Sequence, residues 1–272
     1  MRLLFLLALP IFAAEDPYSY FRAGKVEDIV TTGTGGTVLM GGGKDVDAAF
    51  QWMIERSGNG DVLVLRGRGT DAYNPYILKQ GPAHSAATLI VRTREAAADP
   101  FVVDKIRHAE AIFFAGGDQW NYIYLWKGTP LAGAVQERID AGYPVGGTSA
   151  GLAVLGQYYF SAEFDGITSA EAMADPDSKK IALGKDFLKI RHLENLITDS
   201  HFSARQREGR LEVFLKKIGV PEIVGLGVDE ATAVLLSADG TATVVGKAKA
   251  HVHSPGNKPP RHFAAGESVL FR

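Results

Sequence analysis

Short, continuous apolar runs alternate with helical segments along most of this chain, and this alternation restricts its fold more than any other feature. The apolar runs are Thr37–Met40, Asp61–Leu65, Ala87–Val91 and Ala111–Phe114. Helical periodicity follows or precedes them in the segments Asp45–Arg56, Val102–His108, Gln119–Trp126 and Leu131–Ala141. Runs that are apolar throughout are typical of parallel strands buried on both faces. The sequence therefore predicts an α/β fold in which a mostly parallel sheet is sandwiched by helices.

The C-terminal third has a different pattern. Glu194–Asp199 is typical of one more strand and Arg205–Ile218 of an amphipathic helix, but polar and apolar residues then alternate in Thr232–Leu236 and Thr241–Val245. The turn residues at 238–240 join these two segments, so we expect an antiparallel hairpin at the edge of the same sheet.

The first 14 residues are of another kind. Arg2 precedes the apolar run Leu3–Phe12, which ends in the small residues Ala13 and Ala14. This order is typical of a secretory signal peptide, and the run is too short to span a bilayer. We expect a signal peptide over residues 1–14, a single α/β domain over residues 15–272, and a secreted or periplasmic protein.

Composition excludes several classes of function. The chain has no cysteine, which excludes thiol nucleophiles, disulfides and thiolate metal sites. Its net charge is −2 and it has no basic run, so nothing indicates binding to nucleic acid or, once the signal is cleaved, to a membrane.

Ser149 is the candidate nucleophile. It stands in Gly147-Thr148-Ser149-Ala150-Gly151, between the apolar run ending at Val145 and a buried segment beginning at Leu152. This order predicts a nucleophile elbow, a tight strand-to-helix turn that exposes a serine hydroxyl at the carboxyl edge of a sheet. The N–H of Ala150 and that of Gly116 or Gly117 are the candidates for an oxyanion hole.

His201 is the candidate base, because it follows a predicted strand and so reaches the same sheet edge as the serine. A carboxylate must orient its ring. Glu230, at the end of another apolar strand, is one candidate, and the rivals are Glu163, Asp165 and Glu171.

Two other histidines, His251 and His253, alternate in a strand-like segment that could seat a metal ion. No acidic third ligand is near them in the sequence, so we expect no metal site and no cofactor.

Four motifs occur in the order and spacing seen in cyanophycinases: Phe113–Gln119, Gly147–Gly151, Asp199–Arg210 and Gly227–Ala233. On these motifs the chain is identified as a member of the dipeptidase E–cyanophycinase family of serine peptidases, from about Val38 to Val245. The resemblance implies a fold like that of class I glutamine amidotransferases (flavodoxin-like). It also implies a triad of Ser149, His201 and Glu230, and a family in which dimers occur, so that a homodimer is one expectation.

The resemblance further implies a set of residues that line the substrate pocket: Gln119, Asp199, Arg205, Arg207 and Arg210. Ser200, which we also assign to this pocket, stands where cyanophycinases usually carry glutamine. Cyanophycin is a poly-aspartate whose side-chain carboxyls are amide-linked to arginine, so substrate and product carry carboxylates that guanidinium groups bind well.

We therefore expect a serine exopeptidase that releases β-Asp-Arg dipeptides from cyanophycin through an acyl-enzyme. The alternatives are an aspartyl or isoaspartyl dipeptidase of the same family and an amidotransferase-like protein that binds a ligand without turnover.

Overall fold

The structure is a computed structural model, and it describes residues 16–256 and 258–271. The predicted signal peptide lies outside these residues. The strands are Tyr18–Gly24 (β1), Thr37–Met40 (β2), Asp61–Arg66 (β3), Ser85–Val91 (β4), Ala111–Phe114 (β5), Val145–Thr148 (β6), Tyr158–Phe160 (β7), Leu183–Lys185 (β8), Leu196–Asp199 (β9), Val224–Val228 (β10), Thr232–Leu236 (β11), Ala242–Gly246 (β12), Lys249–His253 (β13), Arg261–Ala264 (β14) and Ser268–Val269 (β15). The helices are Asp47–Arg56 (α1), Tyr73–Ile77 (α2), Pro100–Arg107 (α3), Gln119–Trp126 (α4), Pro130–Asp140 (α5), Ala150–Ala153 (α6), Ser169–Ala174 (α7) and Glu208–Ile218 (α8), with a 3₁₀ turn at Ala96–Ala98.

A nine-stranded sheet in the order β1-β4-β3-β5-β6-β2-β11-β12-β15 forms the centre of the fold. Its five middle strands, from β4 to β2, are parallel. The predicted hairpin is present as β11 and β12 and continues this sheet antiparallel to β2. The expected α/β class and the antiparallel C-terminal hairpin are therefore confirmed.

Side chains of the parallel strands alternate between two cores. Val62 and Val64 of β3 pack on one side with α1 and α2, where Phe50 and Met53 are fully buried. Leu63 on the same strand packs on the other side, in a larger core that includes residues of α3, α4 and α5. Because both faces are covered, the strands contain almost only apolar residues, as the sequence indicates.

A second sheet of six strands, β14-β13-β10-β9-β7-β8, was not expected. Leu226 and Val252 of this sheet face the larger core, so this sheet and helices together cover one side of the nine-stranded sheet. On its other side, α7 and α8 pack through a third core around Phe214. Apolar periodicity identifies a strand but not its neighbours, so the sequence could not separate β9 and β10 from the first sheet.

Helix α8 begins at Glu208, three residues later than predicted. Gln206, at φ 51°, has a left-handed backbone that interrupts any helix starting at Arg205. Among the described residues, no helix is long and apolar enough to cross a bilayer.

Candidate active site

Ser149 lies on a strained turn between β6 and α6. Its backbone has φ 53° and ψ −114°, a conformation that a non-glycine residue adopts only when its surroundings enforce it. The two glycines of the motif explain how the turn closes. A Cβ on Gly151 would lie 2.1 Å from the carbonyl oxygen of Phe114, and one on Gly147 would lie 2.5 Å from the backbone carbon of Gly151. The sequence thus folds locally as a nucleophile elbow, with the serine at the carboxyl end of a central strand.

His201 reaches Ser149 from the end of β9 in the second sheet. Its Nδ1 lies 2.6 Å from Oε1 of Glu230, and its Nε2 lies 2.8 Å from Oγ of Ser149. A carboxylate only accepts hydrogen bonds, so Nδ1 is the protonated nitrogen. Nε2 is then the acceptor of the serine hydroxyl, which is the arrangement that a general base requires.

Glu230, just beyond β10, is the carboxylate that orients His201. The three rival carboxylates form no contact with the histidine. Glu171 instead accepts hydrogen bonds from the N–H and hydroxyl of Thr168 and caps α7. Asp165 accepts from the N–H of Gly166, and Glu163 is exposed.

One stretch of backbone holds the three turns together. The carbonyl oxygens of Met40, Gly41 and Gly42 accept hydrogen bonds from the N–H groups of Ser149, His201 and Ala231 respectively, at 3.1, 2.7 and 2.9 Å. Consecutive carbonyls at the end of β2 thereby fix the serine turn, the histidine turn and the residue after Glu230. Sequence analysis gave this glycine-rich segment no role.

Gly42 also provides the space in which the histidine ring lies. A Cβ at this position would be 2.5 Å from both Cε1 and Nε2 of His201 and 3.1 Å from Cβ of Ser149. Its φ of 98° is unfavourable for residues with a side chain. The run of three glycines at a strand end was the signal in the sequence that could have identified this requirement.

The candidate oxyanion hole lies beside the serine hydroxyl. A Cβ on Gly116 would be 4.0 Å from Oγ of Ser149, and within the described residues the N–H groups of Gly116 and Gly117 have no hydrogen-bond acceptor. The hydroxyl of Tyr122 donates to the carbonyl of Ala115 at 2.7 Å and holds this loop in place. Ala150 begins α6, so its N–H has no acceptor within that helix and is free for substrate.

The environment of His201 favours its neutral form. Burial lowers the pKa of the imidazole, and the positive charges of Arg205 and Arg207 act in the same direction. The hydrogen bond to Glu230 opposes them by raising this pKa, and the lowering effects are larger. Above the ordinary histidine pKa of 6.5, His201 is therefore a neutral base.

Two residues expected in the substrate pocket lie in the interior instead. Asp199 and Arg210 are 3% and 4% exposed and form a bidentate pair, in which Nε of Arg210 donates to Oδ2 of Asp199 at 2.8 Å. The guanidinium also donates to the carbonyl of Ile167, and its carbon lies 5.3 and 5.7 Å from the ring centroids of Phe160 and Phe214. A charge with all its partners inside the protein is not available to a substrate, so the expectation for this pair is corrected.

Arg207 and Ser200 belong to the same internal cluster. Arg207 donates to the carboxylate of Asp199 at 3.1 Å and to the carbonyl of Ser200 at 2.8 Å, and Ser200 is 3% exposed. Arg205 differs, because its side chain is exposed and forms no hydrogen bond or ion pair within the described chain. Gln119 is half-buried, and its amide lies 3.4 Å from the carbonyl of Phe160.

Comparison with known proteins places this chain in a family. The sequence model of peptidase family S51 matches residues 71–244. The cyanophycinase of Geminocystis herdmanii (strain PCC 6308) is 31% identical over 172 residues, which cover 63% of this chain and 59% of that protein. The cyanophycinase of Nostoc sp. (strain PCC 7120) is 28% identical over 181 residues, which cover 66% of this chain and 56% of that protein. The chain thus matches less than two thirds of the length of these curated relatives.

A solved structure shares the fold. The crystal structure of a peptidase from an acI-B1 Actinobacterium superposes with a TM-score of 0.66, covering 88% of this chain and 98% of the other at 23% sequence identity. Likeness at this identity concerns the arrangement of helices and strands, and it agrees with the α/β class.

Proposed function

The chain belongs to peptidase family S51, and we propose that it is a serine peptidase whose nucleophile is Ser149. The observation that carries this proposal is the pair of hydrogen bonds joining Ser149 to His201 and His201 to Glu230, at 2.8 and 2.6 Å. A serine hydroxyl is a weak nucleophile without an adjacent base, and this pair supplies the base and its orienting carboxylate.

The proposed reaction has two steps. Oγ of Ser149 attacks the carbonyl carbon of the scissile amide while Nε2 of His201 accepts the hydroxyl proton. The N–H groups of Ala150 and of Gly116 or Gly117 bind the oxyanion. His201 then gives the proton to the leaving amine as the C–N bond breaks, which leaves an acyl-enzyme on the serine. A water molecule, deprotonated by the same nitrogen, then attacks the ester carbonyl. His201 returns that proton to Oγ as the bond between the acyl carbon and Oγ breaks, which releases the acid product and restores Ser149.

The proposed substrate is a peptide with aspartyl linkages, foremost cyanophycin, which would be cleaved to β-Asp-Arg dipeptides. The cyanophycinases among the relatives support this class of substrate. Arg205 supports it independently, because it is exposed, lacks an internal partner and acts electrostatically on His201. It is therefore the arginine that we assign to a substrate carboxylate. Aspartyl and isoaspartyl dipeptides are the second candidate, because they present the same carboxylate. Export, as predicted from residues 1–14, would place the reaction outside the cytoplasm.

The test is covalent labelling with a fluorophosphonate probe, with the modified peptide located by mass spectrometry, beside turnover of cyanophycin, β-Asp-Arg and α-aspartyl dipeptides. Ser149→Ala is the matched variant, and we expect it to lose labelling and to lower turnover by roughly 10⁶-fold, because triad members act as a unit. Release of β-Asp-Arg supports cyanophycin, and labelling with cleavage of dipeptides alone supports the second candidate. A folded protein that neither labels nor turns over any of them would be the ligand-binding protein considered above.

A further inference from the structure

His253 is a buried histidine with an unsatisfied ring nitrogen. The residue is 3% exposed, and its Nε2 has no hydrogen-bond partner in the described chain. An unpartnered polar nitrogen in the interior is costly, so a group of this kind calls for an explanation. Both ring nitrogens of the neighbouring His251, in contrast, have partners: Nε2 contacts Asp229 at 3.0 Å and Nδ1 contacts His262 at 2.8 Å.

The position of His253 in the sheet directs its ring toward α8. His253 pairs with Gly225 across the antiparallel strands β13 and β10. Directly opposed residues project from the same face of a sheet. A Cβ on Gly225 would lie 3.0 Å from the side chain of Leu211, so that face is the one on which α8 packs.

Two carboxylates of α8 lie close to His253. Glu208 and Glu212 are four residues apart and therefore lie one above the other on the helix surface, beside Leu211. One ligand atom from each of these glutamates and one from His253 all lie within 4.8 Å of one another. Both glutamates are exposed, so their side chains are free to adjust.

We propose that Glu208, Glu212 and His253 form a binding site for a divalent first-row transition metal ion, with zinc as the cation of choice. Imidazole nitrogen and carboxylate oxygen both bind zinc, whereas calcium and magnesium prefer oxygen ligands alone. Tetrahedral coordination requires donor atoms about 3.3 Å apart for bonds of about 2.0–2.1 Å, a distance that rotation of the exposed glutamates can reach. Solvent would supply the fourth ligand.

This site is separate from the triad and goes beyond the proposed peptidase activity. It would join the start of α8 to the end of β13, whereas Leu211 of α8 packs beside Gly225 of the neighbouring strand β10. A metal ion that binds only the folded protein raises its stability, so zinc should act as a clamp between this helix and the second sheet.

The experiment is calorimetric titration of zinc chloride into the full chain after removal of metals with EDTA, beside thermal unfolding with and without zinc. The double variant Glu208→Gln/Glu212→Gln removes two exposed carboxylates and leaves the buried core intact. We expect it to weaken zinc binding by roughly 100-fold or more and to abolish the rise in Tm, because loss of even outer-sphere partners costs about 10–100-fold. If zinc also binds at other histidines, the double variant should bind one zinc ion fewer than the unmodified protein, so the difference stays measurable.

The matched control is Glu55→Gln/Glu222→Gln, which removes the same charge from two exposed positions elsewhere. It should bind zinc as the unmodified protein does. A second variant, His253→Gln, should lose binding while it keeps a polar side chain at this buried position. Zinc affinity and stoichiometry that are equal in the Glu208/Glu212 variant and in the unmodified protein would overturn the proposal, as would the absence of any zinc binding.

Discussion

Gly42→Ala is the substitution that tests the site geometry most directly, because it adds one methyl group and changes no proposed catalytic residue. The added Cβ would lie 2.5 Å from Cε1 and from Nε2 of His201, where ordinary van der Waals contact is 3.4–4 Å. The ring must therefore move by about 1 Å or rotate away. Either movement lengthens the 2.8 Å contact between Nε2 and Oγ of Ser149 beyond hydrogen-bonding range.

The expected loss of activity follows from that displacement. A misplacement of about 1 Å costs roughly 10²-fold in rate, and complete separation of serine and base approaches the roughly 10⁶-fold cost of losing a triad member. We expect Gly42→Ala to lower kcat and the rate of fluorophosphonate labelling by about 10²–10⁴-fold, with a smaller change in KM. The positive φ of 98° should also lower the free energy of unfolding by about 1–3 kcal/mol.

A control separates the backbone effect from the contact with the histidine. Gly266 has φ 90°, and nothing lies within 4 Å of a Cβ built on it. Gly266→Ala should lose stability, as measured by urea unfolding, while labelling stays close to that of the unmodified protein. If folded Gly42→Ala labels within about threefold of the unmodified rate, the contact with His201 does not position the base and the reasoning is wrong.

Three further outcomes are expected. Glu230→Gln should lower kcat by about 10³–10⁴-fold, while Glu171→Gln, which keeps a hydrogen-bond acceptor in the capping box of a short helix, should stay within about twofold. The reverse order would reassign the orienting carboxylate. In pH profiles of kcat/KM, the acid limb should have its midpoint below pH 6.5, because burial and Arg205 lower the pKa of His201. Arg205→Gln removes a charge that disfavours the protonated ring, so the limb should move to higher pH by roughly a few tenths of a unit, and a shift to lower pH would contradict this sign. Arg210→Met should lower the free energy of unfolding by about 3 kcal/mol in urea titrations, because the buried carboxylate of Asp199 would lose both hydrogen bonds from Arg210. A stable variant with a greatly raised KM would instead assign Arg210 to the substrate pocket.

The fold could be predicted from the sequence where burial alone determines it. β5 is apolar throughout and β3 is apolar from Val62 to Leu65 because helices or a second layer cover both faces of these strands. Buried and partly exposed residues alternate in β12, as the sequence pattern indicates. Strand pairing was beyond reach, since β9 and β10 have the same apolar character as β3 but pair in another sheet. Nothing local in a strand specifies its partner when both faces are buried.

The candidate catalytic residues could be predicted because each follows a strand and the ends of these strands lie close together. Ser149, His201 and Glu230 each follow a strand, and the structure brings them together with the distances given above. The burial of Arg210 could not be predicted, because sequence spacing does not report burial. Arg210 belongs to an interior ion pair with Asp199, and only Arg205 of the three remains exposed.

The end of β2 explains why two sheets can present one site. Ser149 belongs to the nine-stranded sheet, whereas His201 and Glu230 follow strands of the other sheet. Side-chain packing between layers would let these groups shift by the small amounts that matter for proton transfer. Backbone hydrogen bonds from all three turns to the carbonyls of residues 40–42 tie them to a single rigid strand end instead. The close approach of Gly41 to the carbonyl of Asp229, where a Cβ would lie 2.1 Å from the oxygen, shows that the second sheet is seated directly on this segment. The relative positions of nucleophile, base and carboxylate are therefore set mainly by backbone hydrogen bonds to residues 40–42. Glycine is required at residues 41 and 42 because a side chain there would clash with the groups that pack on them.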